Sequence, residues 1–377
     1  MIVLDSLAWQ ASLKVSAPIG MAWLRIIEEW VAAGRAKEFV VLIRGSNFAH
    51  VPGETVYTVI PEYRLEEANQ DRYGLQSVCD QLDAELFLSS YYTTPLTTPS
   101  LAIVYDLGIS DTVDPHAREK MECLLQASGY VCFSDWVANE LKKKLPGIPA
   151  ESIAVVYPGI HPDLKPESTL KIRKFREDNN LGKSYILFRA GRGVARKEAF
   201  LNLIDSLAEI TSKSVPEIVY FSVEGSNLDT PLKEVLELTK PVRAKISEMT
   251  LPPDALPTLY SGALALVEIE PDRGLGSFLA EVMRCGCPVI LLAGGESTPE
   301  ELMGGAYPWF LVQSEPKEIA KAIQDLQNPT YRNNLSDRSV SFTRDLTWKA
   351  AADKIWDLAK KTIARERLLK NSKGVPS

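Results

Sequence analysis

Tyr185-Ile-Leu-Phe-Arg-Ala-Gly191-Arg192-Gly193-Val-Ala-Arg196-Lys197 is an apolar run that breaks into a basic, glycine-containing loop and then into helix-forming sequence. A strand, a tight loop and a helix start, in that order, make a place for an anion. Glycines let the backbone come close, the helix N-terminus directs N–H groups at the charge, and Arg192 and Lys197 add full cations. The spacing is neither that of a Walker loop nor G-x-G-x-x-G. A basic loop between strand and helix is also common as plain surface, so its meaning depends on what else the chain supplies.

Short apolar runs alternate with longer amphipathic segments on both sides of this stretch, as βαβ units and a parallel sheet require. Before it, strands are expected at Met1–Leu4, Phe39–Ile43, Leu86–Leu88, Ala102–Tyr105, Gly129–Phe133 and Ile153–Tyr157. A helix is expected over Met21–Ala33, with Leu24, Ile27 and Val31 at helical spacing and Gly34 as its stop. From the quoted stretch onward, strands are expected at Tyr185–Arg189, Glu217–Ser222, Ala263–Val267, Pro288–Leu292 and Trp309–Val312. The polar segment His161–Lys183 separates the two series. The reading is an α/β chain of two Rossmann-like domains with a cleft between them, residues 1–165 and 166–345. An amphipathic helix over Leu346–Ile363, carrying Trp348, Ile355, Trp356 and Leu358, is followed by a basic tail expected to be mobile.

A chain of 377 residues is long enough for two ordinary domains, and 45% hydrophobic with 24% charged residues is a globular composition. Apolar runs fall short of the roughly 18–20 residues of a membrane span, and the N-terminus opens on a strand-like run, so neither a span nor a signal peptide is expected. Five cysteines without paired spacing point to a reducing compartment, the cytoplasm. Three scattered histidines and no Cys/His cluster argue against zinc. Net charge is -7, with residues 1–165 at -8, so no basic stripe exists for nucleic acid. Lys142-Lys143-Lys144 is read as a solvated helix end, where cations suit the macrodipole, in preference to a membrane patch.

A second glycine loop, Asp272-Arg273-Gly274-Leu275-Gly276-Ser277, opens another helix and is also able to cradle an anion. Glu281 follows among Leu279, Ala280, Val282 and Met283. A carboxylate in an apolar run needs a partner, because burying it unpaired is expensive. Two ribose hydroxyls would serve; the plainer alternative is an acidic side chain placed early in a helix to suit its dipole.

These segments resemble, in order, the signatures of the group 1, or family 4, retaining glycosyltransferases of GT-B fold. Ile153-Ala-Val-Val-Tyr-Pro158-Gly159-Ile160-His161 is similar to the family's VxxNGVD strand end, after Phe133-Ser134-Asp-Trp136. Gly191-Arg192 with Arg196-Lys197 resembles its GR…RK loop, Leu256-Pro-Thr-Leu-Tyr260 its LpxLY run, Thr298-Pro299-Glu300 its pE pair, and Trp348-Lys-Ala-Ala-Ala the start of its last helix, which crosses back to the N-terminal domain. The resemblance implies roles. Arg192 and Lys197 neutralise a donor diphosphate beside Gly191; Glu281 holds the ribose; Gly274, Leu275, Gly276 and Ser277, with Asp272 and Arg273, meet phosphate and sugar. Met249 and Leu251 lie in the loop that meets the base. Gly20 belongs to the N-terminal loop, and Tyr105-Asp106 occupies the place of a His-Asp pair near the transferring sugar, which makes Asp106 the catalytic side chain. Neither metal nor cofactor is implied. The donor is a UDP-sugar before a GDP-sugar, UDP-glucose as first choice, and the acceptor a glycan or lipid-linked chain, with at most peripheral membrane contact. Two positions depart from the family: Arg273 stands where it has the first of two glutamates, and Tyr105 replaces its histidine. A nucleotide-sugar epimerase and a catalytically silent nucleotide-sugar-binding scaffold are the alternative readings.

Overall fold

The computed structural model describes residues 1–13, 18–45, 51–105, 107, 117–191, 194–210, 215–224, 245–269, 277–293 and 310–372. The chain divides into two compact units, one of residues 1–159 with 347–377 and one of residues 160–346.

In the first unit seven strands, β1 (Ile2–Asp5), β2 (Phe39–Arg44), β3 (Val56–Ile60), β4 (Leu86–Ser89), β5 (Ser100–Val104), β6 (Gly129–Cys132) and β7 (Ile153–Val155), form one sheet in the order β3-β2-β1-β4-β5-β6-β7. Every pairing is parallel. Side chains alternate between faces, so the buried runs divide cleanly. Ile2, Leu4, Val41, Ile43, Leu86 and Leu88 face a cluster with Trp23, Trp30, Ile355 and Trp356, while Val3, Leu42 and Phe87 pack on Leu75 and Cys79. The Pro18–Ala32 helix ends where expected. Gly34 takes φ +75, and the Arg35 N–H reaches back to the Trp30 carbonyl at 3.0 Å, a turn that a side-chain-bearing residue resists.

The final helix runs over Trp348–Ser372, well past the expected end. Its Trp356 meets Trp30 edge-to-face at 5.3 Å, and the Trp30 indole N–H donates to the Ala352 carbonyl at 2.9 Å. The basic stretch expected to be mobile is helical through Ser372, because it too has partners: Arg365 donates to the Ser128 carbonyl, and Arg367 Nε donates to Glu85 at 2.8 Å. Lys142–Lys144 closes the Asp135–Lys144 helix, whose N-cap Ser134 accepts from the Val137 N–H. Lys144 there donates to the Leu107 carbonyl at 3.0 Å.

The second unit holds β8 (Tyr185–Arg189), β9 (Glu217–Val223), β10 (Ile246–Leu251), β11 (Ala265–Ile269), β12 (Val289–Ala293) and β13 (Phe310–Gln313), all parallel, in the order β10-β9-β8-β11-β12-β13. Ile186, Phe188, Ile218, Val267 and Ile290 pack on Phe200 and Leu203 of the Val194–Glu209 helix and on Ile319 and Ile323 of the Pro316–Leu326 helix. Two edge strands, β3 and β10, were not expected from the sequence. In each unit the chain winds outward from the middle of the sheet and then restarts beside its first strand. The order therefore reverses between β1 and β4, and again between β8 and β11. Open α/β sheets bind ligands outside the carboxyl ends of strands at such reversals.

Candidate functional site

At the β8/β11 reversal the quoted stretch behaves as its residues require. β8 is buried through Phe188, and Arg189 is its last residue. Gly191 lies so close to Arg196 that a Cβ there would sit 2.6 Å from Arg196 Cδ, so only glycine fits without moving that side chain. Arg196 Nη1 donates to the Arg189 carbonyl at 3.0 Å, and its Nη2 lies 2.5 Å from Glu268 of β11. Glu268 is 1% exposed, and its Oε1 also accepts the Ile269 N–H at 3.1 Å. Lys197 is half-buried and, among the described residues, makes neither a hydrogen bond nor an ion pair. The two adjacent cations at the start of the Val194–Glu209 helix thus differ: Arg196 is committed to Glu268 and the Arg189 carbonyl, and Lys197 has no such contact among the described residues.

Glu281 lies on the Ser277–Arg284 helix, half-buried among Leu279, Ala280, Val282 and Met283. Burial pushes its carboxyl up to about 7, against the opposing pull of the Arg189 charge. Phe278 of the same helix packs against Phe221 and Tyr260 at 6.4 and 6.3 Å, and the Arg189 guanidinium stacks on its ring at 3.9 Å. A carboxyl raised by burial, an aromatic ring and the Arg189 guanidinium therefore meet near the carboxyl end of β8. Arg192, Asp272, Arg273, Gly274, Leu275, Gly276 and Asp106 lie outside the described residues, as does the side chain of Ser277. Met249 and Leu251, expected in a loop, are inside the edge strand β10, with Leu251 buried at its carboxyl end. The alternation of Ile246-Ser-Glu-Met-Thr-Leu251 explains the strand: one face packs and the other is wet.

In the first unit, Gly20 is buried within the first turn of the Pro18–Ala32 helix, not in a loop. Tyr105 directly follows β5. Its ring stacks on Phe133 at 5.4 Å, and its oxygen accepts the Trp23 indole N–H at 2.7 Å. Burial pushes the phenol above its ordinary value, so Tyr105 stays protonated and is a hydrogen-bond donor, not a base.

The β1/β4 reversal carries a network that the sequence reading missed. Arg44, ending β2, forks onto Asp5, ending β1, with Nε–Oδ1 at 3.0 Å and Nη2–Oδ2 at 2.6 Å, and also bonds Asp71. Thr93 donates to Asp5 at 2.6 Å, and Gln10 bridges the Arg44 N–H and carbonyl. Asp5 and Arg44 are nearly fully buried. The available signal was a single charged residue closing each of two apolar strands, Ile2-Val-Leu-Asp5 and Phe39-Val-Val-Leu-Ile-Arg44. Among the described residues no group of His, Cys, Asp and Glu is arranged to hold a metal ion, and no helix is long and apolar enough to cross a membrane.

Neither a protein-family profile nor a curated protein sequence matches the chain. Solved structures do. Sucrose-phosphate synthase from Thermosynechococcus elongatus is 17% identical at a TM-score of 0.68, over 97% of this chain and 99% of that one. Anabaena HepE, solved in complex with UDP-glucose, is 14% identical at 0.63 over 96% and 98%. WaaG, a glycosyltransferase involved in lipopolysaccharide biosynthesis, is 14% identical at 0.63 over 95% and 99%. A candidate UDP-N-acetylglucosamine 2-epimerase from Listeria monocytogenes is 14% identical at 0.56 over 97% of each chain. At these identities the likeness is one of fold: two parallel α/β units, the fold of the GT-B glycosyltransferases.

Proposed function

We propose that the chain is a retaining, metal-independent glycosyltransferase that takes a hexose from a UDP-sugar, UDP-glucose first, and passes it to a glycan or lipid-linked acceptor. The observation that carries this reading is the β8/β11 reversal: Lys197 without a partner among the described residues, an inward-braced loop at Gly191, and Glu281 poised near neutrality on the facing helix. A nucleoside diphosphate has the matching chemistry, an anion for the loop and a diol for the carboxylate. HepE binds UDP-glucose in the same fold, which supports a uracil donor.

In the proposed reaction the donor sits on residues 166–345 and the acceptor on residues 1–165 with the last helix. The acceptor hydroxyl oxygen attacks the anomeric carbon from the face that the nucleotide leaves. The bond from that carbon to the phosphate oxygen breaks, and the acceptor proton passes to a phosphate oxygen of the departing UDP. Arg192 and Lys197 neutralise the charge that develops there, work that preset cations do without reorganising. Glu281 holds the ribose, and the segment Asp272–Ser277 meets phosphate and sugar. Met249 and Leu251 border the base, Gly20 the acceptor, and Tyr105 and Asp106 the transferring sugar. Calorimetric titration without metal tests the reading: binding of UDP-glucose and UDP in preference to ADP supports it, and a requirement for a divalent ion for binding sinks the metal-independent form. Donor binding without turnover across a varied acceptor panel would favour the silent scaffold, the reading that Arg273 and Tyr105 motivate.

A further inference from the structure

The last helix outruns the unit on which it packs. Ile355, Leu358, Thr362 and Ile363 are buried, but from Arg367 to Ser372 every residue is exposed. This free end lies at the amino ends of the strands: Arg365 donates to the carbonyl of Ser128, just before β6, and Arg367 Nε donates at 2.8 Å to Glu85, just before β4. Leu369 follows Thr362 by seven residues and so continues the buried stripe, yet it is 45% exposed, and Leu368 beside it is 70% exposed. Leu125, three residues before Ser128, is 65% exposed. One exposed leucine means little, but an adjacent pair on a free helix end puts apolar surface in water where lysine or glutamate would serve the helix as well. The charge there is also one-sided. Residues 360–373 hold six Lys and Arg against the single acid Glu366. Lys360 pairs with Glu38 and Arg367 with Glu85, whereas Lys361 and Lys370, both exposed, make no ion pair among the described residues.

We propose that this free helix end is a docking surface for an anionic lipid bilayer, with Leu368 and Leu369 entering the boundary between headgroups and acyl chains and Lys361 and Lys370 meeting lipid phosphates. Such a surface answers both halves of the pattern: cations gain by attraction to the negative headgroups, and leucines gain by leaving water. Six basic residues fall within the about four to eight that mark segments held on anionic lipid. Nucleic acid would use the cations and leave the leucines wet. The inference does not rest on the donor site, and contact at the amino ends of the first sheet leaves its carboxyl ends uncovered for a ligand.

Sedimentation of the full chain with lipid vesicles tests this, using phosphatidylcholine alone and a mixture of about two parts phosphatidylcholine to one of phosphatidylglycerol, at low and at high salt. We expect binding to the anionic vesicles only, falling as salt rises. Lys361→Glu with Lys370→Glu, and separately Leu368→Ser with Leu369→Ser, should each weaken it about tenfold or more. Neither pair should move the urea unfolding midpoint, since all four side chains are exposed. Equal binding to neutral and anionic vesicles, binding that neither pair of changes weakens, or no vesicle binding at all would overturn the proposal. So would a wild type that ignores lipid but self-associates through the leucines or binds nucleic acid through the lysines, because the surface would then serve a different partner.

Discussion

The indole N–H of Trp23 donates to the phenolic oxygen of Tyr105 at 2.7 Å, joining the Pro18–Ala32 helix to the end of β5. With Phe133 stacked on the ring, the Tyr105 hydroxyl has a fixed position and an available proton. Tyr105→Phe leaves the Trp23 N–H buried without its acceptor, and should cost about 1–3 kcal/mol in urea unfolding. A change below about 0.5 kcal/mol would mean that the bond contributes little. In a turnover assay, Tyr105→Phe should lower kcat more than it raises KM, since the hydroxyl is assigned to the transferring sugar.

Gly191→Ala places a Cβ against Arg196 and forces either the loop or the Arg196–Glu268 contact to give. A loss of about 1–3 kcal/mol is expected by chemical denaturation, together with weaker UDP binding. Wild-type stability and affinity would contradict the brace.

Asp5→Ala removes the carboxylate on which Arg44 forks, leaving a buried guanidinium with Asp71 as its remaining acid. A loss of about 3–5 kcal/mol follows in unfolding measurements. Nucleotide binding by whatever folds should be unchanged, because the network belongs to the first unit. Selective loss of UDP binding with intact stability would be the contrary result.

The Glu281 carboxyl, ordinarily near 4.5, is raised to about 7 by burial. The folded chain keeps a proton there that the unfolded chain releases, so this stabilisation is full below about 4.5 and is lost as pH rises through 7, with a limiting slope of about 1.4 kcal/mol per pH unit. Glu281→Gln removes that dependence, and its stability relative to wild type should improve between about pH 5 and about pH 8. Uridine affinity should rise with pH in the wild type, as the ionised carboxylate accepts the ribose hydroxyls, and stay flat in the variant. A stability difference that does not change with pH would contradict the burial.

Most of the strands that the sequence revealed are buried on both faces, although the half-buried edge strand β7 was also legible. Tyr185-Ile-Leu-Phe-Arg189 and Phe39-Val-Val-Leu-Ile43 are continuous apolar runs, as central parallel strands must be. The two that it hid are edges. Val56, Tyr57 and Val59 of β3 are each about half exposed, and β10 alternates polar with apolar, so neither reads as a core strand. Glycine and carboxylate signals at Gly191 and Glu281 were legible because both are local. The Asp5–Arg44–Asp71 and Arg189–Glu268 partnerships were not, since a charge that closes a strand announces that it has a partner but not which one; only the order of the strands brings them together.

Calorimetric titration of the purified chain with UDP-glucose, UDP, GDP and ADP, in the presence of a metal chelator, tests the central claim most directly. The account predicts saturable binding of UDP and UDP-glucose, weakened at least about tenfold by Lys197→Met, while uridine alone is unaffected by that change. If none of the four nucleotides binds, or if Lys197→Met weakens uridine and UDP alike, the β8/β11 reversal is not a nucleotide-sugar site and the glycosyltransferase reading falls.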